Sequence, residues 1–274
     1  YLCIGCSFKA HYNLLSHKLD RLVYTVRMNV LLLAGGNFEE REISLLSART
    51  VQEALQALGH ACQTVDPSEG DFDIDRLALR YDVVFIAIHG RGGEDGLIQR
   101  HLEDLDKPFV GSGSKSSKLC FDKWEYKEFL KQHGLPVASG KLVSVNDIYA
   151  EDFMKPYVLK PLNSGSGFDL QVVRRPSERD RGETAEMLSR RGKMLFEPLV
   201  EGAEITVGIL GEEPLPIVEI VPPEGESFTR ENQYNGLSKL FCPPANISEE
   251  LQKQAQAMAL QIHNLTGCRH MSRT

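Results

Sequence analysis

The sequence lacks the features that bind polyanions or insert into membranes. Its formal net charge at pH 7 is −7, whereas binding to nucleic acids or anionic membrane surfaces requires a cationic face. No apolar run approaches the roughly 20 residues that span a bilayer. Hydrophobic residues make up 42% and charged residues 25% of the 274 residues, as in ordinary soluble proteins. We therefore expect a cytoplasmic protein that binds neither nucleic acid nor membranes. Its length allows two domains, or one large domain with additions.

The sequence also lacks a second close pair of cysteines. Of the six cysteines, only Cys3 and Cys6 are close together, and a zinc site would need a second ligand pair at a suitable spacing. A redox C-x-x-C motif normally opens a helix beside a strand, but this one lies at the start of the chain. We expect reduced, unconnected thiols.

The first 27 residues differ in pattern from the rest of the chain. The first residue is Tyr1, and Met28 immediately precedes the first clear strand. The segment between them mixes His, Lys and Arg with apolar residues, so it lacks the apolar centre of a signal peptide. We interpret residues 1–27 as an extension upstream of the natural start and predict that they are poorly ordered.

Strands and helices alternate after Met28. The runs "VLLLA", "ACQTVD" and "YDVVFIAIHG" predict strands, and "ISLLSARTVQEALQALG" and "LIQRHLEDL" have helical spacing. The third run is continuous and β-branched, which is typical of a parallel strand covered on both faces. We predict a parallel α/β domain over residues 28–111.

The pattern changes after residue 111. The segment "FDKWEYKEFLKQHG" predicts a helix, and "YVLKPLNSGSGFDLQVV" predicts two strands joined by a Gly/Ser loop. Further strands are predicted in "KMLFEPLV", "EITVGIL" and "LPIVEIV", and the polar stretch "TRENQYNGLSKLFCPP" is typical of a long functional loop. Ser248 suits the N-cap of a last helix. Its predicted apolar stripe consists of Leu251, Ala255, Met258, Ile262 and Leu265.

Two segments that come directly after predicted strands are candidate sites. Residues 89–96, "HGRGGEDG", lie at the carboxyl end of a parallel strand, where ligands of open α/β sheets bind. The alternative is a glycine-rich turn with an incidental His89. The segment is not a Rossmann fingerprint, and the chain has no Walker A motif. In "GGNFEERE" the carboxylates either stabilise a helix N-terminus or hold a substrate ammonium.

A third candidate site is rich in lysine and glycine. Lys160 ends an apolar run and precedes a small-residue loop, which suits a mobile phosphate cover; a plain hairpin with a snorkelling lysine is the alternative. Lys123 is a second lysine, and Glu197 and Glu204 flank an apolar, hinge-like segment on two neighbouring predicted strands. Together these residues suit a nucleotide held between two sheets.

The order and spacing of these motifs resemble D-alanine–D-alanine ligases of the ATP-grasp superfamily. The resemblance runs from Met28 to the last residue and is carried by "GGNFEEREISLLSA", "IHGRGGEDG", "FVGSGSKSSKLCFDKW", "LKPLNSGSG", "LFEPLVEGAEITVGILG", "FCPPANIS" and "GCRHMSRT". The combination of "HGRGGEDG" with a "GSG" shortly after it is the most specific part.

The resemblance implies a fold and a reaction. Residues 28–111 would form the N-terminal parallel α/β substrate domain. An ATP-grasp fold would come next, with a central subdomain at 112–197 and a C-terminal subdomain at 198–274 that is incomplete. ATP would lie between these two subdomains and activate one D-alanine as an acyl phosphate, which the amine of a second D-alanine attacks. The product would serve peptidoglycan precursor synthesis, and a homodimer is expected.

The resemblance also implies roles for individual residues. Glu40 would bind the ammonium of the first D-alanine and connect through Ser166 to Tyr234, with His89 near the same substrate. Arg273 would stabilise charge at the reacting carbonyl. The residues expected to bind ATP are Lys123, Lys160, Ser166, the adenine segment Glu197, Pro198, Leu199 and Val200, and the ribose-binding Glu204.

The sequence departs from the family pattern in three places. Gln233 replaces a lysine expected before the loop tyrosine, and Ser166-Gly167 replaces a pair of serines. The carboxylates that would bind two Mg²⁺ ions are expected beyond Thr274, so no residue present is assigned to a metal. We therefore expect this chain to be a fragment of a longer reading frame and impaired in catalysis.

Two alternatives stay open. A D-alanine–D-lactate ligase uses the same chemistry with a hydroxyl nucleophile, but Tyr234 favours the dipeptide, since in the family a phenylalanine accompanies the depsipeptide. A non-catalytic nucleotide-binding remnant is the second alternative, and Gln233 gives it slight support.

Overall fold

The computed structural model describes residues 26–244 and 246–274, without the side chains of Glu151 and Tyr234. Most of the predicted upstream extension, and with it the Cys3–Cys6 pair, lies outside the described residues. The chain divides into two compact units, one ending at Ser114 and the other running from Lys115 to Thr274. The further division predicted at residue 197 stays a prediction.

The first unit is a parallel α/β unit. Its elements are β1 (Asn29–Leu33), α1 (Arg41–Ala57), β2 (Ala61–Val65), α2 (Ile74–Ala78), β3 (Val83–Ile86), α3 (Leu97–Asp104) and β4 (Phe109–Val110). The four strands are parallel and adjacent in the order β2-β1-β3-β4. The predicted parallel sheet is confirmed, and its carboxyl edge carries both "GGNFEERE" and "HGRGGEDG".

The central strand β1 is buried on both faces. Leu31, Leu32 and Leu33 are each 0% exposed, and alternate residues enter two different cores. Leu31 and Leu33 pack in the core that includes Val84 and Leu102, while Leu32 packs in a core with Ala48 of α1. Burial on both faces explains why the sequence of this strand is an uninterrupted apolar run.

The second unit is built from helices and antiparallel sheets. Its helices are α4 (Ser114–Phe121), α5 (Lys123–Gln132), α6 (Glu178–Arg191), α7 (Arg230–Tyr234) and α8 (Glu249–Leu265). Short 3₁₀ helices span Val145–Asp147 and Glu151–Met154. Its strands are β5 (Lys141–Val143), β6 (Tyr157–Pro161), β7 (Gln171–Val173), β8 (Met194–Pro198), β9 (Glu204–Thr206), β10 (Gly208–Leu210), β11 (Glu213–Pro214), β12 (Val218–Val221), β13 (Lys239–Phe241) and β14 (Met271–Arg273).

Three antiparallel sheets organise these strands. The largest has the order β5-β8-β6-β7, and its core contains the aromatic cluster Phe153, Tyr157 and Phe196. The other two have the orders β13-β12-β9 and β11-β10-β14. The mixed α/β class predicted for the chain is confirmed.

The last helix buries only part of the predicted stripe. Ser248 is its N-cap, as expected, and accepts a hydrogen bond from the amide of Leu251. Ile262 is buried and Ala255 packs against the core, as predicted, but Leu251, Met258 and Leu265 are exposed. Ala259 and His263 are buried in their place, and the small Ala259 packs in the core of Val207, Ile209 and Ile217.

The segment predicted as a long loop contains regular structure. Helix α7 lies within it, and β13 extends the sheet of β12 by antiparallel pairing. Neither element has a hydrophobic pattern that predicts it, because α7 is a single short helix and every residue of β13 is exposed.

Glu197 and Glu204 also lie differently from the prediction. They belong to consecutive strands, β8 and β9, but these strands are in different sheets. The chain leaves the first sheet between them, where Gly202 has a φ of 151°.

Within the described residues, no helix is long and apolar enough to cross a membrane.

Candidate functional site

Glu40 is the buried carboxylate of the "GGNFEERE" segment. It precedes α1 and is only 4% exposed, whereas its neighbours Glu39 and Glu42 are exposed. Its Oε2 atom lies directly against Gly90, where a Cβ atom would come closer than 3.0 Å. Gly90 therefore permits the "HGRGGEDG" segment to approach Glu40. Burial separates Glu40 from carboxylates that merely stabilise the helix N-terminus.

Asp66 anchors the turn that leads to Glu40, and sequence reasoning missed it. Its carboxylate accepts hydrogen bonds from the amides of Gly36 and Ser68 at 2.8 and 2.9 Å and pairs with the Arg41 guanidinium at 2.6 Å. Burial alone would raise the pKa of Asp66, but these hydrogen bonds and Arg41 hold its pKa below the usual value. Gly35 packs against the same carboxylate. An acidic residue directly after β2 was the available signal.

His89 is held by two side chains near the carboxyl edge of the sheet. Its Nε2 lies 2.9 Å from the Ser47 hydroxyl, and its Nδ1 lies 3.6 Å from Glu94. The acidic residues of the segment satisfy its own backbone, because Glu94 accepts from the amide of Gly90 and Asp95 accepts from the amide of Gly92. The segment is therefore an ordered turn that fixes the orientation of His89. Ser47 was not predicted.

A buried carboxylate joins two lysines in the second unit. Glu197 of β8 is 6% exposed; its Oε2 lies 2.6 Å from Lys160 of β6, and its Oε1 contacts Lys127 of α5. Burial alone would raise the pKa of Glu197, but Lys160 and Lys127 together hold its pKa below the usual value. Sequence reasoning missed Lys127, although its position four residues after Lys123 on a helix was a usable signal.

The Gly/Ser loop comes after Lys160 and contacts the other predicted lysine. The Lys123 ammonium donates to the carbonyl of Ser164, and its amide donates to Leu162 O at 3.0 Å. Ser166 is buried and has a φ of 49°, and the next residue, Gly167, has a φ of 68°. Two consecutive left-handed residues form a tight turn, which the amide of Phe168 closes by donating to Gly165 O at 3.1 Å.

The same loop packs against the start of α7. The Arg230 guanidinium stacks on the Phe168 ring, 3.6 Å from its centroid, and a Cβ on Gly167 would lie 2.9 Å from the Arg230 amide. Gln233 and Tyr234 are the last two residues of this helix. The loop that carries Ser166 and the segment that carries Tyr234 are therefore in contact through Phe168 and Arg230.

The remaining predicted nucleotide ligands lie around the end of β8. Pro198 is its last residue, the amide of Leu199 donates to Pro156 O at 3.1 Å, and Val200 is exposed. Glu204 begins β9. Partial burial raises the pKa of Glu204, and Lys160 offsets part of this effect, so Lys160 is electrostatically coupled to both Glu197 and Glu204.

Arg273 lies on β14, beside β10. Its Nη1 donates to the Thr206 hydroxyl at 3.1 Å. Among residues 26–244 and 246–274, no group of three or more His, Cys, Asp and Glu side chains could hold a metal ion.

The structure groups the predicted residues into two sets, one in each unit. In the first unit, Glu40 lies against Gly90, the residue that comes directly after His89. In the second unit, Lys160, Glu197 and Glu204 interact, and Lys123 contacts the loop of Ser166. The first set offers a carboxylate to a cation, and the second offers lysines to phosphates.

Solved structures share this fold. A D-alanine–D-alanine ligase from Bacillus anthracis superposes with a TM-score of 0.75 and 23% identity over 90% of this chain and 81% of that one. D-alanyl-alanine synthetase A from Vibrio cholerae gives a TM-score of 0.74 and 22% identity over 90% of this chain and 83% of that one. At these identities the similarity concerns the fold, which is the ATP-grasp fold preceded by a parallel α/β unit.

Sequence comparisons are more specific. Residues 129–274 match the family model described as D-ala D-ala ligase C-terminus. The chain is 34% identical over 254 residues to the D-alanine–D-alanine ligase of Rhizorhabdus wittichii, covering 90% of this chain and 80% of that protein. It is 36% identical over 252 residues to that of Maridesulfovibrio salexigens, covering 90% and 82%. The chain therefore belongs to the D-alanine–D-alanine ligase family.

Proposed function

We propose that this protein catalyses the ATP-dependent ligation of two D-alanine molecules to D-alanyl-D-alanine, for peptidoglycan precursor synthesis. The proposed binding of ATP is supported by one observation: Lys160 and Lys127 converge on buried Glu197, next to a Gly/Ser loop that Lys123 contacts. Clustered cations of this kind stabilise phosphoryl transfer. Family membership over 90% of the chain supports D-alanine as the amino acid.

The reaction needs an activated carboxylate. When bound, ATP supplies the phosphoryl group that converts the carboxylate of the first D-alanine to an acyl phosphate. The ammonium of the second D-alanine loses one proton to become an amine, which attacks the carbonyl carbon. A C–N bond forms, the C–O bond to the phosphate breaks so that phosphate leaves, and the nitrogen loses a second proton to give the amide. Glu40 would hold the ammonium of the first D-alanine, because it is a buried carboxylate at the carboxyl edge of the sheet. His89, fixed by Ser47 and Glu94, would lie near that substrate.

The second unit would bind the nucleotide and exclude water. Lys123 and Lys160 would contact its phosphates, residues 197–200 its adenine, and Glu204 its ribose. Ser166 and Tyr234 lie on two segments that touch through Phe168 and Arg230, so these segments would close over the acyl phosphate together and slow its hydrolysis. Arg273 would stabilise charge at the reacting carbonyl.

The proposal also covers the metal ions, the oligomeric state and the cellular location of the protein. Two Mg²⁺ ions would accompany ATP, although the described residues provide no cluster for them. We also propose a homodimer and a cytoplasmic location, both from the family resemblance.

Binding of D-alanine to matched variants tests the proposal. We expect Glu40→Gln to weaken D-alanine binding, measured calorimetrically with ATP present, by about 10-fold or more, since a charge-assisted hydrogen bond contributes roughly 1.5–3 kcal/mol. Glu42→Gln, on the exposed neighbour two residues away, is the control and should bind as the unmodified protein does. Equal binding by both variants would contradict the role of Glu40.

Product analysis separates the three candidate functions. Mass spectrometry after incubation with ATP, D-alanine and D-lactate can identify the product even at the low turnover expected of this chain, and the expected product is D-alanyl-D-alanine. A depsipeptide as the main product would instead establish the D-lactate ligase. ATP binding without either product would favour the non-catalytic nucleotide-binding protein.

A further inference from the structure

Lys127 is a buried lysine that the proposed mechanism does not use. It lies on α5, one turn after Lys123, and its side chain is only 7% exposed. Its ammonium donates to Ala138 O at 2.5 Å and pairs with Glu197 Oε1. A lysine is rarely buried to this extent unless it is paired, so the pairing with Glu197 explains its position.

The two lysines on Glu197 are not equivalent. Lys160, on the other carboxylate oxygen, has a side chain that is 34% exposed and precedes the Gly/Ser loop. Lys127 is enclosed and has a backbone carbonyl as a second acceptor. Two cations share the Glu197 carboxylate, and Lys160 also lies within electrostatic reach of Glu204. The more exposed lysine, Lys160, is the one that can turn toward an incoming phosphate.

When Lys160 turns away from Glu197, the buried carboxylate of Glu197 still requires a counter-ion. A carboxylate that is 6% exposed cannot lose all of its counter-ions without a large penalty. Lys127 remains on the other oxygen and meets this requirement. With Lys127 absent, Lys160 would be the only counter-ion left in the cluster, and a phosphate would have to compete with Glu197 for it.

We propose that Lys127 is a positioning residue of the nucleotide site: it neutralises Glu197 so that Lys160 can exchange between this carboxylate and a nucleotide phosphate. The inference rests on the proposed nucleotide-binding function and deepens it. Lys127 itself does not touch the nucleotide. It acts on phosphate binding only through the charge of Glu197.

A purely structural ion pair makes a different prediction. If Lys127 only stabilised the fold, its replacement would lower stability and affect every nucleotide ligand alike. In the proposed role, the loss is specific to ligands that carry phosphates. Adenosine, which has no phosphate, is therefore the diagnostic ligand.

Isothermal titration of the full chain with ATP and with adenosine, in a magnesium-containing buffer, tests the proposal. We expect Lys127→Met to weaken ATP binding by about 10-fold, the equivalent of one charge-assisted contact, and to leave adenosine binding unchanged. Lys131→Met removes an exposed lysine one turn further along α5 that pairs with Glu128, and it should bind both ligands as the unmodified protein does.

A second pair of variants keeps the test valid if Lys127→Met does not fold. Because Lys127 acts through Glu197, Lys127→Met/Glu197→Gln should bind ATP as tightly as Glu197→Gln alone. A double variant that binds ATP 10-fold more weakly than Glu197→Gln would overturn the proposal, as would a folded Lys127→Met protein that loses adenosine and ATP binding equally or neither. Failure of the unmodified protein and of Lys131→Met to bind ATP would instead refute the proposed nucleotide-binding function.

Discussion

Replacement of Gly90 by alanine should weaken D-alanine binding, and it should lower stability only by the backbone strain that alanine has at any left-handed glycine position. The new methyl group would lie closer than 3.0 Å to the Oε2 atom of Glu40. That atom is the end of a flexible side chain, so Glu40 can turn away while the backbone stays in place. The perturbation therefore moves the proposed ammonium-binding carboxylate without deleting it.

The expected losses of stability and of D-alanine affinity follow from two local effects, the backbone strain at residue 90 and the displacement of Glu40. Gly90 has a φ of 69°, and alanine in this left-handed region costs about 1–2 kcal/mol of folding free energy. Displacement of Glu40 costs the substrate one charge-assisted hydrogen bond, about 1.5–3 kcal/mol. At about 1.4 kcal/mol for each factor of ten, D-alanine binding should weaken by about 10- to 150-fold.

Gly59→Ala provides a matched control for this prediction. Gly59 also has a left-handed φ, 82°, but a Cβ there would meet nothing within 4 Å. Both variants should lose about 1–2 kcal/mol in urea-induced unfolding. Only Gly90→Ala should lose affinity in a calorimetric titration with D-alanine. The reasoning is refuted if the two variants bind D-alanine equally well.

Two further predictions concern titratable groups. The pKa of Asp66 is lowered in the folded protein, so this carboxylate stabilises the fold above its unfolded pKa, near 4, and the stabilisation is lost as pH falls through the lower folded pKa. Asp66→Asn should therefore cost about 1–3 kcal/mol at pH 7 and progressively less below pH 4 in urea unfolding measured across pH. The pKa of Cys120 is raised by a hydrogen bond with Cys268, which is the larger cause, and by burial. Cys120 should therefore be alkylated by iodoacetamide at pH 8 more slowly than the amino acid cysteine in solution. Cys268→Ala should accelerate that alkylation, and an unchanged rate would contradict the thiol contact.

The parts of the fold that obey a strict local pattern were predictable. The leucines of β1 form an uninterrupted apolar run because both of its faces are buried, and Ser248 caps α8 as its residue type suggests. The buried face of α8 was not predictable from hydrophobicity. Ala259 and His263 are buried there because of close packing and a hydrogen bond of the His263 ring to Ser272, which depend on tertiary neighbours.

Sequence reasoning about the site found residue types but not their partners. The motifs singled out Lys160 and Glu197 separately, each as a contact of the nucleotide, whereas in the fold they are bound to each other. The helical spacing of Lys127 from Lys123 indicates a shared helix face, but its pairing with Glu197 depends on how β6, β8 and α5 pack together, which no local pattern encodes. Asp66 was missed for the same reason, since its partners Gly36 and Arg41 come from a different segment of the chain.

Charge pairing within the second unit sets a condition on any ligand that binds there. Buried charges must be satisfied in the folded protein, since one unpaired buried ion would cost several kcal/mol, a large part of the net stability of a protein. A phosphate bound at the proposed site would therefore not meet a free Lys160; it would replace the carboxylate of Glu197. The free energy of binding would then be a difference between two ion pairs, and it would be most favourable if Glu197 kept a counter-ion. The Lys127 contact can supply that counter-ion from within the fold, so under this proposal the affinity for phosphate depends on a residue that does not touch it.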